Sequence, residues 1–116
     1  MKDKLEEILN DIEYPVISEY KFSTTRKFRF DYFIDLSNFN SLVPGIGIEY
    51  EGINYQNSNY SRHTNTSGFI KDIDKYNLAL TLSVPVLRYT FKQLEDPEEV
   101  KKQIMTVISN FLNKAS

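Results

Sequence analysis

Three short segments between residues 16 and 52 alternate apolar and polar side chains, and this two-residue period commits the middle of the chain to β-strands. In the first, Val16, Ser18, Tyr20 and Phe22 interleave with Ile17, Glu19 and Lys21. After the polar turn Ser23-Thr24-Thr25, Phe28, Phe30, Tyr32 and Ile34 alternate with Arg29, Asp31, Phe33 and Asp35. The loop-like stretch from Asn38 to Pro44 leads to a third segment, Gly45 to Gly52, with Ile46, Ile48 and Tyr50 on one face and Glu49 and Glu51 on the other. Strands so short and so closely linked pair as an antiparallel meander.

The flanks carry a helical period instead. Leu5, Ile8, Leu9 and Ile12 predict an amphipathic helix over residues 2–12, closed by Pro15. Ile70, Ile73, Tyr76 and Leu80 form the apolar stripe of a helix running from a Ser67 cap to about Leu82. Val84 to Tyr89 reads as a fourth strand. Asp96-Pro97-Glu98-Glu99 opens a last helix, with an acid at the cap, proline in the first turn and acids at the positive end of the dipole. Val100, Ile104, Val107, Ile108 and Phe111 are its predicted buried face. The order αβββαβα predicts an α/β fold of the α+β kind, a four-stranded mixed sheet flanked by helices. No repeat or linker divides the 116 residues, so one domain over 1–116 is expected. Asn54 to Ser67 has no apolar period and reads as a long polar connection.

Composition narrows the chemistry. With no cysteine there is no disulfide, thiolate metal site or cysteine nucleophile. A single histidine, His63, leaves any metal to oxygen ligands, which favours Mg2+ or Mn2+. Acids at the N-terminus and apolar runs far below the ~20 residues of a membrane span predict no export, no membrane partner and a cytoplasmic location. The net charge of −2 gives no global attraction to nucleic acid, but Lys21, Arg26, Lys27 and Arg29 gather with no acid among them.

Asp31 lies in the middle of one strand, and Glu49 and Glu51 lie two apart on the next, so three carboxylates are placed to converge. Like charges brought together are tolerated when a divalent cation joins them, and such a cation can activate water against a phosphodiester. The plainer reading is three solvated acids on an open sheet face.

Taken together, several stretches resemble the small phage and prophage endonucleases of the PD-(D/E)xK superfamily, including relatives of very-short-patch-repair endonucleases. They are Arg26-Lys27-Phe28-Arg29-Phe30-Asp31, Ile48-Glu49-Tyr50-Glu51-Gly52, Arg62-His63, Ser67-Gly68-Phe69, Asp72-Ile73-Asp74-Lys75-Tyr76-Asn77 and Val86-Leu87-Arg88-Tyr89. The resemblance covers about Glu19 to Phe111 and implies a restriction-endonuclease-like core and Mg2+-dependent cleavage of DNA, with Mn2+ substituting. Carried over by position, Asp31 is the first metal ligand, Glu49 the second, and the Tyr50 carbonyl a further oxygen. The place of the usual lysine on the third strand holds Glu51, as an extra ligand or base, and Lys75 on the following helix is the implied replacement for the missing cation. His63 matches an Arg-His pair and would assist catalysis, while Glu19 and Glu6 are outer acids. Arg26, Lys27, Arg29 and Arg62 would hold the DNA backbone. The superfamily's resolvases imply a junction, branch or flap as substrate and a homodimer making paired cuts. Two other classes stay open: a non-catalytic DNA-binding or assembly module that keeps the fold, for which the missing strand lysine argues, and a plain protein-interaction domain.

Overall fold

α1 (Lys2–Asn10) forms at the predicted spacing and buries Leu5, Ile8 and Leu9. The computed structural model describes residues 2–52 and 66–113. β1 (Val16–Lys21), β2 (Arg29–Asp35) and β3 (Gly45–Tyr50) follow as an antiparallel meander. α2 (Thr66–Thr81) then leads to β4 (Val86–Tyr89), which runs parallel to β3 and gives the sheet order β1-β2-β3-β4. A short helix α3 (Phe91–Leu94) and the long α4 (Pro97–Phe111) complete an α+β arrangement of a four-stranded mixed sheet flanked by helices.

The sheet separates two apolar clusters. On one face Tyr32, Ile34, Ile46, Ile48 and Tyr89 pack against Leu5, Leu9, Leu94, Val100, Ile104 and Ile108, so α1, α3 and α4 share one core. On the other, Phe30, Phe33, Ala79 and Val84 are joined by Tyr20, Phe22 and Val86 beneath α2. Phe22 stacks on Phe30 and Tyr20 on Phe33, each with ring centroids 4.1 Å apart. Gly47 makes room for this aromatic layer: a Cβ there would stand 2.9 Å from the Phe30 ring.

The strict alternation expected for the first two strands breaks. Phe30 and Phe33, three apart, face α2, whereas Tyr32 and Ile34 face the opposite core. In β1 the face also changes, from Val16 on one side to Tyr20 and Phe22 on the other. The shift occurs at Glu19, whose backbone has φ 51° and which the ladder skips between Ser18↔Tyr32 and Tyr20↔Phe30. A left-handed residue rotates the strand and lets one side chain out of phase, as a bulge does. Asp31 lies directly across this irregularity, and the β2–β3 register also stops there, at Tyr32↔Ile48.

Two local expectations at α2 are corrected. Ser67 lies inside the helix and is not its cap. Ile70, Ile73 and Leu80 are exposed, and the inward side carries Ala79, Tyr76 and Lys75. The apolar stripe misled because helical spacing shows that a face exists without showing what covers it.

α4 begins as expected, with the Asp96 side chain accepting the Glu99 N–H at 3.3 Å and Pro97 in the first turn. The unforeseen α3 is fixed by a Thr90/Gln93 capping box. Among the described residues no helix is long and apolar enough to cross a membrane.

Candidate functional site at the parting of β2 and β3

Where the β2–β3 ladder stops, carboxylates take the place of main-chain partners. The Asp31 N–H donates to Glu49 Oε2 at 2.9 Å, and the Tyr50 N–H donates to Asp31 Oδ2 at 2.8 Å. Charge-assisted bonds of this kind are stronger than the neutral ladder bonds they replace. They fix Asp31 and Glu49 side by side across two strands.

The other oxygen of each carboxylate meets a lysine. Lys75 from α2 donates to Glu49 Oε1, and both side chains are enclosed, at 15% and 8% exposure. The Lys75 ammonium lies 5.6 Å from the Phe30 ring centroid, so the aromatic layer forms its floor. Lys2 from α1 donates to Asp31 Oδ1 at 3.1 Å and approaches Glu19 Oε1 at 3.5 Å. Burial pulls the Lys2 ammonium down, but the hydrogen bond and charge of Asp31, with the charges of Glu19 and Tyr32, outweigh it and leave its pKa raised.

Glu51 is tied into a second cluster. Arg88 from β4 donates through Nε to Glu51 Oε1 at 2.7 Å and lies over the Tyr76 ring at 4.3 Å. The Tyr76 hydroxyl stands 3.2 Å from Glu49 Oε1 and 3.1 Å from Glu51 Oε1, so its one proton links the two acids. Burial first, then the Glu49 and Glu51 charges, push the Tyr76 phenol far above its ordinary value and keep it a donor. The Arg88 guanidinium is raised too, because Glu51, Tyr76 and Asp72 together outweigh its own burial.

Of the residues singled out from sequence, Asp31, Glu49, Glu51 and Lys75 thus join one connected network with Tyr50 contributing its N–H. Arg62 and His63 lie outside the described residues. Arg26, Lys27 and Arg29 are exposed, Arg26 resting on the Phe28 ring at 4.6 Å and Arg29 donating to the Glu19 carbonyl at 3.4 Å. Lys2, Tyr76 and Arg88 were not assigned site roles from sequence. Tyr76 had a signal, since it follows Lys75 on the same helix; Lys2 had none, because only the fold brings α1 to Asp31.

The donor chemistry of Asp31 and Glu49 suits Mg2+: both are hard oxygens held on adjacent strands. The arrangement differs from the expected convergence of three acids. Among the described residues no three acidic, histidine or cysteine side chains gather closely enough to hold one ion together. Glu51 is turned toward Arg88, and lysines cover the outer oxygens of the other two.

A separate cleft between α1 and α4, lined by Lys4, Glu7, Asp11, Pro97 and Lys101, is crossed by a Lys101–Asp11 ion pair at 2.6 Å and contains none of the network's residues. In comparisons with known proteins, no family model, curated protein or solved structure matches this chain.

Proposed function

We propose that the chain is a Mg2+-dependent endodeoxyribonuclease of the PD-(D/E)xK kind. The observation that carries this reading is Lys75: a lysine from the helix after β3 is enclosed against Glu49, one main-chain bond away from Asp31. It supplies from α2 the cation that the third strand lacks. The meander with a parallel fourth strand, reached through a helix, agrees with the restriction-endonuclease-like core.

In this reading Asp31 and Glu49 would hold Mg2+, which supplies a Lewis acid and lowers the pKa of a coordinated water. Lys75 orients the attacking water and stabilises charge developing on the phosphate. Tyr76 holds Glu49 in place, and Glu51 positions Arg88, whose remaining guanidinium N–H groups can donate to a phosphate. Arg26, Lys27 and Arg29 attract the DNA backbone. His63 and Arg62 retain the assisting and backbone-holding roles that the resemblance implies. A small domain has little surface for reading sequence, which favours junctions, branches or flaps as substrates.

The test is cleavage of branched DNA by purified protein with Mg2+. Asp31→Asn, Glu49→Gln and Lys75→Met should each reduce the rate at least about 100-fold. Undiminished cleavage by Asp31→Asn or Glu49→Gln overturns the assignment.

One observation favours the second reading, a non-catalytic DNA-binding module. Every acid of the network already has a basic partner, so the cluster satisfies itself as a brace between strands and helices. Calorimetry with Mn2+ separates the two: a nuclease takes up the ion saturably, and a brace does not.

A further inference from the structure

We infer that the hollow between α2 and β4 is a subsite for one unpaired nucleobase, so that the strand this site accepts carries a single-stranded flap or end. Phe69, Asp72, Ile73, Tyr76, Asn77 and Arg88 line the hollow, whose volume is about 270 Å3. That is just under the ~300–1,000 Å3 of pockets for drug-sized molecules, and gives room for one planar ring system. The inference deepens the nuclease reading and rests on it, because it assigns the substrate of the same site.

Two stacking platforms wall the hollow. On one side stands the Phe69 ring, 68% exposed, and on the other the Arg88 guanidinium lies over the Tyr76 ring, 4.3 Å from its centroid. Bases splayed out of a helix stack on such aromatic rings and guanidinium planes. Phe69 and Tyr76 are two turns apart on α2, about 10 Å along its axis, so a base ~3.4 Å thick enters between them. Ile73 gives the apolar floor, and Asp72 and Asn77 the polar rims. Asn77 offers an amide donor and acceptor to the base edge. Asp72 accepts only, which suits an exocyclic amine such as cytosine N4. An acid beside a polyanion is thereby accounted for: it meets a base edge and not a phosphate. A peptide side chain of the same size would leave both polar rims without a matching edge.

The hollow adjoins the carboxylate network through two shared side chains. The Tyr76 hydroxyl stands 3.2 Å from Glu49 Oε1, and Arg88 donates to Glu51 through Nε while its outer N–H groups point the way to a phosphate. A phosphate held at Asp31 and Glu49 therefore has a neighbouring nucleotide beside the hollow. Only an unpaired base enters, because a paired one is enclosed in the duplex stack. Among junctions, branches and flaps, the hollow thus selects the substrates with free single strands.

Fluorescence anisotropy in EDTA, where no cleavage occurs, tests the subsite with two DNA probes. One is a duplex with a single-stranded cytosine tail of about ten nucleotides, and the other carries a tail of equal length built of sugar and phosphate without bases. The charges are equal, so the cytosine tail should bind at least about fivefold tighter through its bases. Phe69→Ala should remove most of that difference, and Ile70→Ala, outside the hollow, should keep it. Phe69 and Ile70 are so exposed that both variants should retain the wild-type circular dichroism. Equal affinity for the two tails, which would leave the hollow to a peptide side chain, overturns the inference. So does a difference retained in full by Phe69→Ala. Base-dependent binding with no cleavage in Mg2+ would count against the nuclease reading alone, whereas cleavage of tailed DNA indifferent to the tail's bases would overturn the subsite alone.

Discussion

Glu49 Oε2 accepts the main-chain N–H of Asp31 at 2.9 Å, while Glu49 Oε1 accepts from the Lys75 ammonium. One buried carboxylate therefore joins β2, β3 and α2. Removing it strands a lysine in an enclosed, aromatic-floored position. Glu49→Ala should destabilise the fold by about 3–5 kcal/mol. Glu49→Ala combined with Lys75→Met should cost less than Glu49→Ala alone. Urea unfolding of the single and double variants measures both, and strict additivity would show that the pair is not coupled.

The aromatic layer under α2 should be the most sensitive part of that side of the sheet. Phe30 is fully buried, and Phe30→Ala is expected to cost about 3–5 kcal/mol. Gly47→Ala pushes a methyl into the Phe30 ring and should cost about 1–3 kcal/mol. Gly45→Ala should be worse, because its methyl would meet the Ile34 carbonyl oxygen at 2.3 Å, and backbone yields less than a ring. Thermal denaturation ranks the two glycine variants directly.

Alkaline pH should weaken the fold through two phenols, the buried Tyr89 and the half-buried Tyr76. Burial pushes Tyr89 up to about 12, and burial with the Glu49 and Glu51 charges raises Tyr76 further still. Both groups hold their protons more tightly in the folded state than in the unfolded state, where a tyrosine ionises near ~10. Their contribution is complete below about pH 10 and declines as pH rises toward and through the folded values. Tyr89 alone should account for about 2–3 kcal/mol by pH 12. Tyr89→Phe should flatten this decline in urea titrations between about pH 9 and 12, and an unchanged slope would remove Tyr89 from the account.

Lys2 occupies the outer oxygen of Asp31 and so competes with any cation there. Lys2→Ala should tighten Mn2+ uptake about three- to tenfold by calorimetry, as expected when one charge is removed beside a partly exposed site. Stability should change by less than ~1 kcal/mol, because Lys2 is 44% exposed and such pairs contribute little. Weaker uptake in this variant would mean that Lys2 supports the site.

Apart from the short α3, the element order and the face of β3 were legible because local pattern and tertiary role agree there: Ile46, Ile48 and Tyr50 turn inward while Glu49 and Glu51 turn to the network. The meeting of Lys75 with Glu49 was legible only as a reach from the next helix. Asp31 was placed correctly on its strand, but the shift at Glu19 that separates Phe30 from Tyr32 leaves no mark in the residue types, since Glu rarely adopts positive φ. The part of Glu51 was also hidden: its partner Arg88 lies on β4, which only the parallel crossover brings beside β3. The stripe of α2 was read as core because spacing alone does not distinguish a face turned toward the sheet from one turned away.

The most direct measurement is diffraction from a crystal soaked in Mn2+ and recorded at the manganese absorption edge. An anomalous peak about 2 Å from carboxylate oxygens of Asp31 and Glu49, with the Lys2 ammonium withdrawn, is the predicted result. Saturating Mn2+ with no peak there, and with Lys2 and Lys75 still bound to Asp31 and Glu49, would contradict it.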